Sequence, residues 1–234
     1  MVNIVEKVDD LVKVRTALMS TYDKRGLDTF VPELLEINPE LLILSTGGTH
    51  GVIEGIINDS GVGDVKKNLK QVAVYTGQPE TQGGLVKTLD FKIYLGLLTE
   101  TYNVSHQNDL KRTESIPIDL VAVNLYPFNE VVAKPDCTPE KARANIDIGG
   151  PTMIRAGAKN FHRVAVSVSP LDYQMIIDDM KAKQGCTKLF TRYLLMHKAF
   201  NHTAQYDSKI KDHFGKLAFG DVKESYRTII ARGE

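Results

Sequence analysis

The sequence predicts an α/β fold, with a parallel sheet formed by the first half and a helical layer from the second half packed on it. Three observations predict it. Short Val/Ile/Leu-rich runs alternate with helix-period patterns through the first half. Residues 118–125 (Ile-Asp-Leu-Val-Ala-Val-Asn-Leu) are almost continuously apolar, as in a strand buried on both faces. Beyond Pro127 helical patterns dominate, and no Pro/Gly/Ser linker divides the 234 residues into separate units.

Each element follows from local pattern. Residues 12–19 read as a first strand, ending in the polar stretch Ser20-Thr21-Tyr22-Asp23-Lys24-Arg25-Gly26. Residues 27–37 read as a helix in which Pro32 sits best near the first turn. Residues 41–44 form a second apolar strand ending in Ser45-Thr46-Gly47-Gly48-Thr49, after which Val52, Ile53, Ile56 and Ile57 recur at helical spacing. Residues 72–75 read as a short strand, 76–79 as a turn and 82–88 as an ordered loop. Thr138 caps a helix with Pro139 at its first position, ending near residues 147–150. Pro151 opens another helix that reaches about Asn160. A strand at 164–168, a helix at 171–183 and a long helical segment from 188 to about 214 follow. The expected organisation is a single domain, with an α/β core over about 12–130 and a mainly helical extension over 131–234.

Composition narrows the function. Lys+Arg and Asp+Glu both number 29, so the formal charge is zero and the basic excess of a dedicated nucleic-acid binder is missing. No run of 18 apolar residues is available to span a membrane, and the N-terminus has no signal-peptide core. Cys137 and Cys186 stand alone without CxxC spacing, which makes a reducing cytoplasm the expected location. His197 and His202 are five apart, off the spacing that places two ligands on one helix face, and no GxSxG elbow occurs. Neither a metal nor another cofactor is expected.

Three stretches carry chemistry. The turns at 20–26 and 45–49 lie about one βα repeat apart, so both belong at the carboxyl edge of the sheet, where parallel sheets bind ligands. Ser20, Thr46, Gly47, Gly48 and Thr49 leave backbone N–H groups free for an anion, and Lys24 adds a charge. One such turn is an ordinary tight turn; two with the same chemistry favour phosphate. Neither turn is a Walker A loop or a GxGxxG motif, so the phosphate belongs to a mononucleotide or sugar phosphate. Asn124-Leu125-Tyr126-Pro127 places an amide and a phenol at the same edge, although Tyr126 taken alone reads as a packing residue. Asp147-Ile148-Gly149-Gly150 puts a carboxylate beside free N–H groups at a helix entry. Thr152, Arg155 and Lys159 share one helix face. That is the pattern of a solvated charged face, but the glycine pair points to close approach of a ligand.

Taken together, these blocks resemble the cyclohydrolase half of the AICAR transformylase/IMP cyclohydrolase family. The matching residues include Ser20 with Asp23-Lys24 and Gly26, Thr46 to Thr49, Gly83-Gly84, Val86 to Leu89, and Asn124 to Phe128. They continue through Ile146 to Gly150, Arg155-Ala156, Ala158 to Asn160, Lys198 to Phe200 and His202 to Asp207. The resemblance implies a methylglyoxal-synthase-like three-layer α/β/α core and ring closure of formyl-AICAR to IMP with loss of water. It assigns catalysis to Lys87, Tyr126, Asp147 and Lys159; on that set, our expectation is that Asp147 and Lys159 form a coupled proton-handling pair while Lys87 and Tyr126 stabilise or protonate the leaving oxygen. It implies a 5′-phosphate in the two early loops, an oxyanion at the N–H groups of Ile148 and Gly149, and the base and formyl group held by Thr88 and Asn124. Tyr22, Arg25 and Gly150 complete the expected binding set.

Departures from the family pattern are Tyr22 for a usual serine, Arg25 for threonine, Leu85 for arginine, and Asp90-Phe91 for His-Pro. Arg25 is expected to compensate through a bidentate phosphate contact. The chain ends where a transformylase half would begin, so no folate-dependent activity is expected. The expected partner is a purine ribonucleotide, with a homodimer and a separate formyl-AICAR-producing enzyme as candidate protein partners and no role for nucleic acid or membrane. The alternative function is a non-catalytic purine-nucleotide-binding regulatory module of the same fold.

Overall fold

The computed structural model describes residues 4–78 and 88–227. A first strand, β1 (Leu11–Lys13), precedes β2 (Thr16–Thr21), α1 (Leu27–Ile37), β3 (Leu42–Ser45) and α2 (Gly47–Ser60). Then come α3 (Val65–Asn68), β4 (Leu69–Gln71), α4 (Val72–Thr76), α5 (Phe91–Leu98), α6 (Val104–Arg112) and β5 (Leu120–Asn124). The second half holds α7 (Phe128–Val132), α8 (Pro139–Ala144), α9 (Gly149–Lys159), β6 (Ala165–Ser167), α10 (Tyr173–Ala182), β7 (Cys186–Lys188), α11 (Leu189–Phe214) and α12 (Phe219–Glu224).

Five strands form a parallel sheet in the order β4-β3-β2-β5-β6, and β1 pairs antiparallel with β7 in a separate ribbon. Alternation along the strands supplies two cores. Ala17, Met19, Ile43, Leu120 and Ala122 face α1, α2 and α10, whereas Leu18, Leu44, Val121 and Val123 face α5, α9 and α11. Helices therefore cover both faces, which is why the strands read as unbroken apolar runs. No helix is long and apolar enough to cross a membrane among the described residues.

Several local expectations are met. α1 spans its expected residues, and Thr138 caps α8 by accepting from the Lys141 N–H at 3.2 Å, with Pro139 at the first position. Others are corrected. Residues 12–19 are two strands, because Val14 donates to Gly185 in the β1–β7 ribbon while Thr16 begins pairing with β3. Residues 72–75 are helical; the β4 strand is Leu69–Gln71, and Gly77 at φ 76° closes the turn of α4 that follows. Pro32 lies in the second turn of α1 rather than the first. α8 stops at Ala144, and α9 starts two residues before Pro151.

At the amino-terminal edge of the sheet the polar groups pair with one another. Asp119, 4% exposed, accepts from the N–H groups of Arg15 and Thr16 at 2.9 and 3.1 Å and from Arg163 Nη1 at 2.9 Å. Arg163 is equally buried, and its Nε donates to the Thr99 carbonyl at 2.9 Å. Burial pushes the Asp119 carboxyl up, and the Arg163 guanidinium and the two N–H groups oppose that in part.

Candidate nucleotide site at the carboxyl edge of the sheet

At the opposite edge, polar groups converge on a cavity of about 450 Å³. Its walls come from the β2–α1 loop (Ser20, Thr21, Tyr22, Lys24), the start of α2 (Thr46, Gly48, Thr49), Thr88, the end of β5 (Asn124, Tyr126) and the entry to α9 (Asp147 to Gly150). Three segments separated by tens of residues meet because β3, β2 and β5 are parallel neighbours whose chain exits lie on the same side.

The free donors at this edge lie in the backbone. Thr46 precedes α2 in extended conformation and makes no side-chain cap, while the N–H groups of Thr49 and His50 are taken by the Thr46 carbonyl. Those of Gly47 and Gly48 bond to no described residue, and a Cβ built on either glycine meets nothing within 4 Å. They are the free donors at the positive end of a 14-residue helix. Thr49 itself is spent: its buried hydroxyl accepts from the Thr21 N–H at 3.0 Å and lies 3.1 Å from the Thr21 carbonyl. Ser20 and Thr46 share a 2.7 Å hydroxyl contact across the strands. Lys24 Nζ donates to the Thr21 carbonyl at 3.0 Å, so the ammonium is held over the loop with further protons to give.

Asn124 holds the loop from the cavity wall. Its Oδ1 accepts from the N–H groups of Tyr22 (2.7 Å) and Asp23 (2.8 Å), and its Nδ2 donates to the Asp23 carbonyl at 2.9 Å. Both acceptor positions are filled, so the amide staples β5 to the β2–α1 loop. Arg25 is likewise committed: its Nε and Nη2 fork onto the Asp23 carboxylate at 3.0 and 2.6 Å, and it does not line the cavity. The guanidinium holds that carboxyl below its usual range. The bidentate fork expected for phosphate closes on Asp23 instead.

The α9 entry is the second charged wall. Asp147 Oδ1 accepts from the Gly150 N–H at 3.0 Å, and the Asp147 N–H donates to the Tyr206 hydroxyl of α11 at 2.8 Å. The N–H groups of Ile148 and Gly149 bond to no described residue and stand at the cavity. Thr152 receives the Tyr94 hydroxyl at 2.7 Å and caps back onto the Ile148 and Gly149 carbonyls. The glycine pair has a different reason from the expected ligand approach. A Cβ on Gly149 would stand 2.4 Å from Thr88 Oγ1, and one on Gly150 would stand 2.5 Å from Asp147 Oδ2 and Leu125 Cδ2. The chain's own atoms fill that space.

Of the expected catalytic residues, one falls elsewhere and one is not among the described residues. Lys87 lies outside the described residues. Lys159 is the exposed last residue of α9, about 15 Å along the helix from Gly149 at 1.5 Å per residue, and outside the cavity lining. The Asp147–Lys159 pair is therefore not in contact. Arg155 turns its guanidinium over the Phe200 ring at 5.7 Å, toward α11. Tyr206 was missed as a site residue; its signal was the block His202 to Asp207, which had no chemistry attached to it at the level of sequence.

Comparison with known proteins identifies the family. Residues 157–232, which include the Tyr206 segment, match the family model of the AICARFT/IMPCHase bienzyme, a group tied to purine biosynthesis. A solved structure, that of ForH, is similar to this chain with a TM-score of 0.71 and 28% identity, over 86% of this chain and 98% of ForH. The model of the MGS-like domain matches residues 26–152, a stretch that holds every cavity wall from Thr46 to Gly150. On that match over more than half of its length, the chain belongs to the MGS-like domain family.

Proposed function

We propose that this protein is an IMP cyclohydrolase, closing the ring of formyl-AICAR to give IMP and water. One observation carries the reading: two unpaired helix N-termini, with a carboxylate and a phenol between them, face a single cavity. Its volume lies within the ~300–1,000 Å³ of pockets that enclose a small ligand. The α2 end and Lys24 take the 5′-phosphate. The reacting arms then lie at the α9 entry.

In the closure, the carboxamide nitrogen bonds to the formyl carbon. The formyl oxygen departs as water, carrying one proton from the carboxamide nitrogen and one from the formamide nitrogen. A carboxamide nitrogen is a poor nucleophile, so a base must take its proton as the bond forms. Asp147 is that base in this assignment. Oδ1 is held by Gly150 N–H, which leaves Oδ2 for the substrate. The Ile148 and Gly149 N–H groups receive the oxygen as it gains negative charge, and Tyr126 donates a proton to it. Holding both arms of one molecule together supplies much of the acceleration.

The test is ultraviolet detection of IMP from formyl-AICAR, with Asp147→Asn as the paired variant. Turnover by the parent chain and a fall of at least about 100-fold in kcat for the variant, with IMP still bound, are expected. IMP binding without turnover by the parent chain would favour the regulatory-module reading; binding of neither ligand would refute both.

A further inference from the structure

The rings of Tyr22 and Tyr126 meet edge to face at the cavity mouth, with centroids 4.5 Å apart and planes inclined at 63°. The backbones beneath them are fixed. Asn124 holds the Tyr22 N–H at 2.7 Å. Beyond Tyr126, the Phe128 N–H donates to the Tyr126 carbonyl at 2.8 Å, and Pro127 has φ −75° and ψ 82°, the geometry of an inverse γ-turn. What the backbone leaves free is the Tyr126 ring itself. Its hydroxyl bonds to no described residue, and its one aromatic contact among them is Tyr22. Both rings are well exposed, 49% for Tyr22 and 39% for Tyr126, so the fold does not depend on their packing.

We propose that Tyr22 is a positioning residue for the Tyr126 phenol, coupling its orientation to occupancy of the anion-binding loop. The coupling path is short. Tyr22 sits between Thr21, clamped by Thr49, and Asp23, clamped by Asn124, in the same loop that carries Lys24. An anion bound beside Lys24 restricts the Tyr22 ring above its clamped backbone, and edge-to-face preference then restricts the rotation of Tyr126. A phenol oriented as the phosphate end of the substrate binds need not be oriented again by the reacting arms. The inference rests on the cyclohydrolase reading for the role of Tyr126, though the coupling itself does not.

The variants are Tyr22→Phe, which keeps the ring, and Tyr22→Ser, which removes it. With formyl-AICAR, the phenylalanine variant should keep kcat within about twofold. The serine variant should lose about tenfold in kcat with KM and melting temperature little changed. A serine variant with parental kcat, or with a raised KM alone, overturns the proposal, the latter by making Tyr22 a direct substrate contact. If the parent chain does not turn over formyl-AICAR, it is the functional reading that fails, and the coupling is then judged separately. With 3-fluorotyrosine incorporated at position 126, inorganic phosphate should shift the fluorine resonance in the parent background and not beside Tyr22→Ser. Equal shifts in both backgrounds, or none in the parent, would overturn it.

Discussion

Glycine at 48 and glycine at 150 look alike in the sequence, and the surrounding atoms give them opposite meanings. Open space above Gly48 means that alanine there fits the fold, and helix propensity favours it by about 1 kcal/mol. The added methyl group enters the cavity, however, beside the free N–H groups of α2. Gly48→Ala is expected to match or exceed parental stability in urea while losing affinity for IMP in calorimetry. Gly150→Ala forces a methyl group into Asp147 Oδ2 and Leu125, and should destabilise by about 1–3 kcal/mol as well as abolish turnover. Equal behaviour of the two variants would contradict the assignment of Gly48 to ligand space. The same contrast runs through the hydroxyl and amide residues. Thr49 and Asn124 are expected ligand contacts from residue type, yet their polar atoms are bonded to the β2–α1 loop. They shape the loop, Asn124 keeping one Nδ2 hydrogen unspent.

The helix α11 brings its own contribution from far along the chain. Tyr206 stands 59 residues after Asp147, is 6% exposed, and packs its ring against Phe128 while its hydroxyl receives the Asp147 N–H. Burial raises the phenol, so it remains protonated at neutral pH. Phenylalanine at 206 keeps the ring and leaves the Asp147 N–H without its acceptor. The expected result is a loss of about 1–2 kcal/mol in denaturant unfolding and a drop in kcat larger than the change in KM. A variant with parental kcat would separate α11 from the chemistry. α9 shows what helical spacing does and does not say. Thr152, Arg155 and Lys159 share a face as expected, but a face is long: the last of them is about 15 Å from the helix start that holds the site. Period places residues around an axis; the number of turns places them along it.

Across the fold, the two edges of the sheet are finished in opposite ways. The amino edge is closed by the Asp119–Arg163 pair and its backbone partners, and the carboxyl edge keeps free donors around a cavity. Stability and binding are thereby separated, the first resting on groups already paired and the second on groups still unpaired. The pH dependence of stability follows from two half-buried groups. Partial burial pushes the His162 and His202 imidazoles below their ordinary value of 6.5, and the His202 Nε2 has no hydrogen-bond partner among the described residues. The unfolded chain therefore takes up protons first as pH falls. Their contribution is fully present above about pH 6.5, and it is lost as pH drops from there through the lower folded-state values. Urea midpoints measured from pH 8 down to about 5 should fall in that window, with part of the slope removed in His202→Phe. A midpoint unchanged over the window would count against both histidines.

Much of the architecture was legible in advance. The double-sided apolar runs at 41–44 and 118–125 required a parallel sheet covered on both faces, because such strands have no side to show to water. The polar turns that follow them then had to meet at one edge. Local chemistry also sufficed for Thr138-Pro139 and for α1. It failed at residues 72–75, where β-branched residues form a helix because the burial of Val72 and the Gly77 stop outweigh weak strand propensity. Which polar groups remain free could not be read from residue order. Arg25 closes on Asp23, Asn124 on the loop about 100 residues before it, and Asp147 meets Tyr206 rather than Lys159. Hydrogen-bond capacity is a property of side-chain type, but its use depends on which partners the folded chain brings within 3 Å.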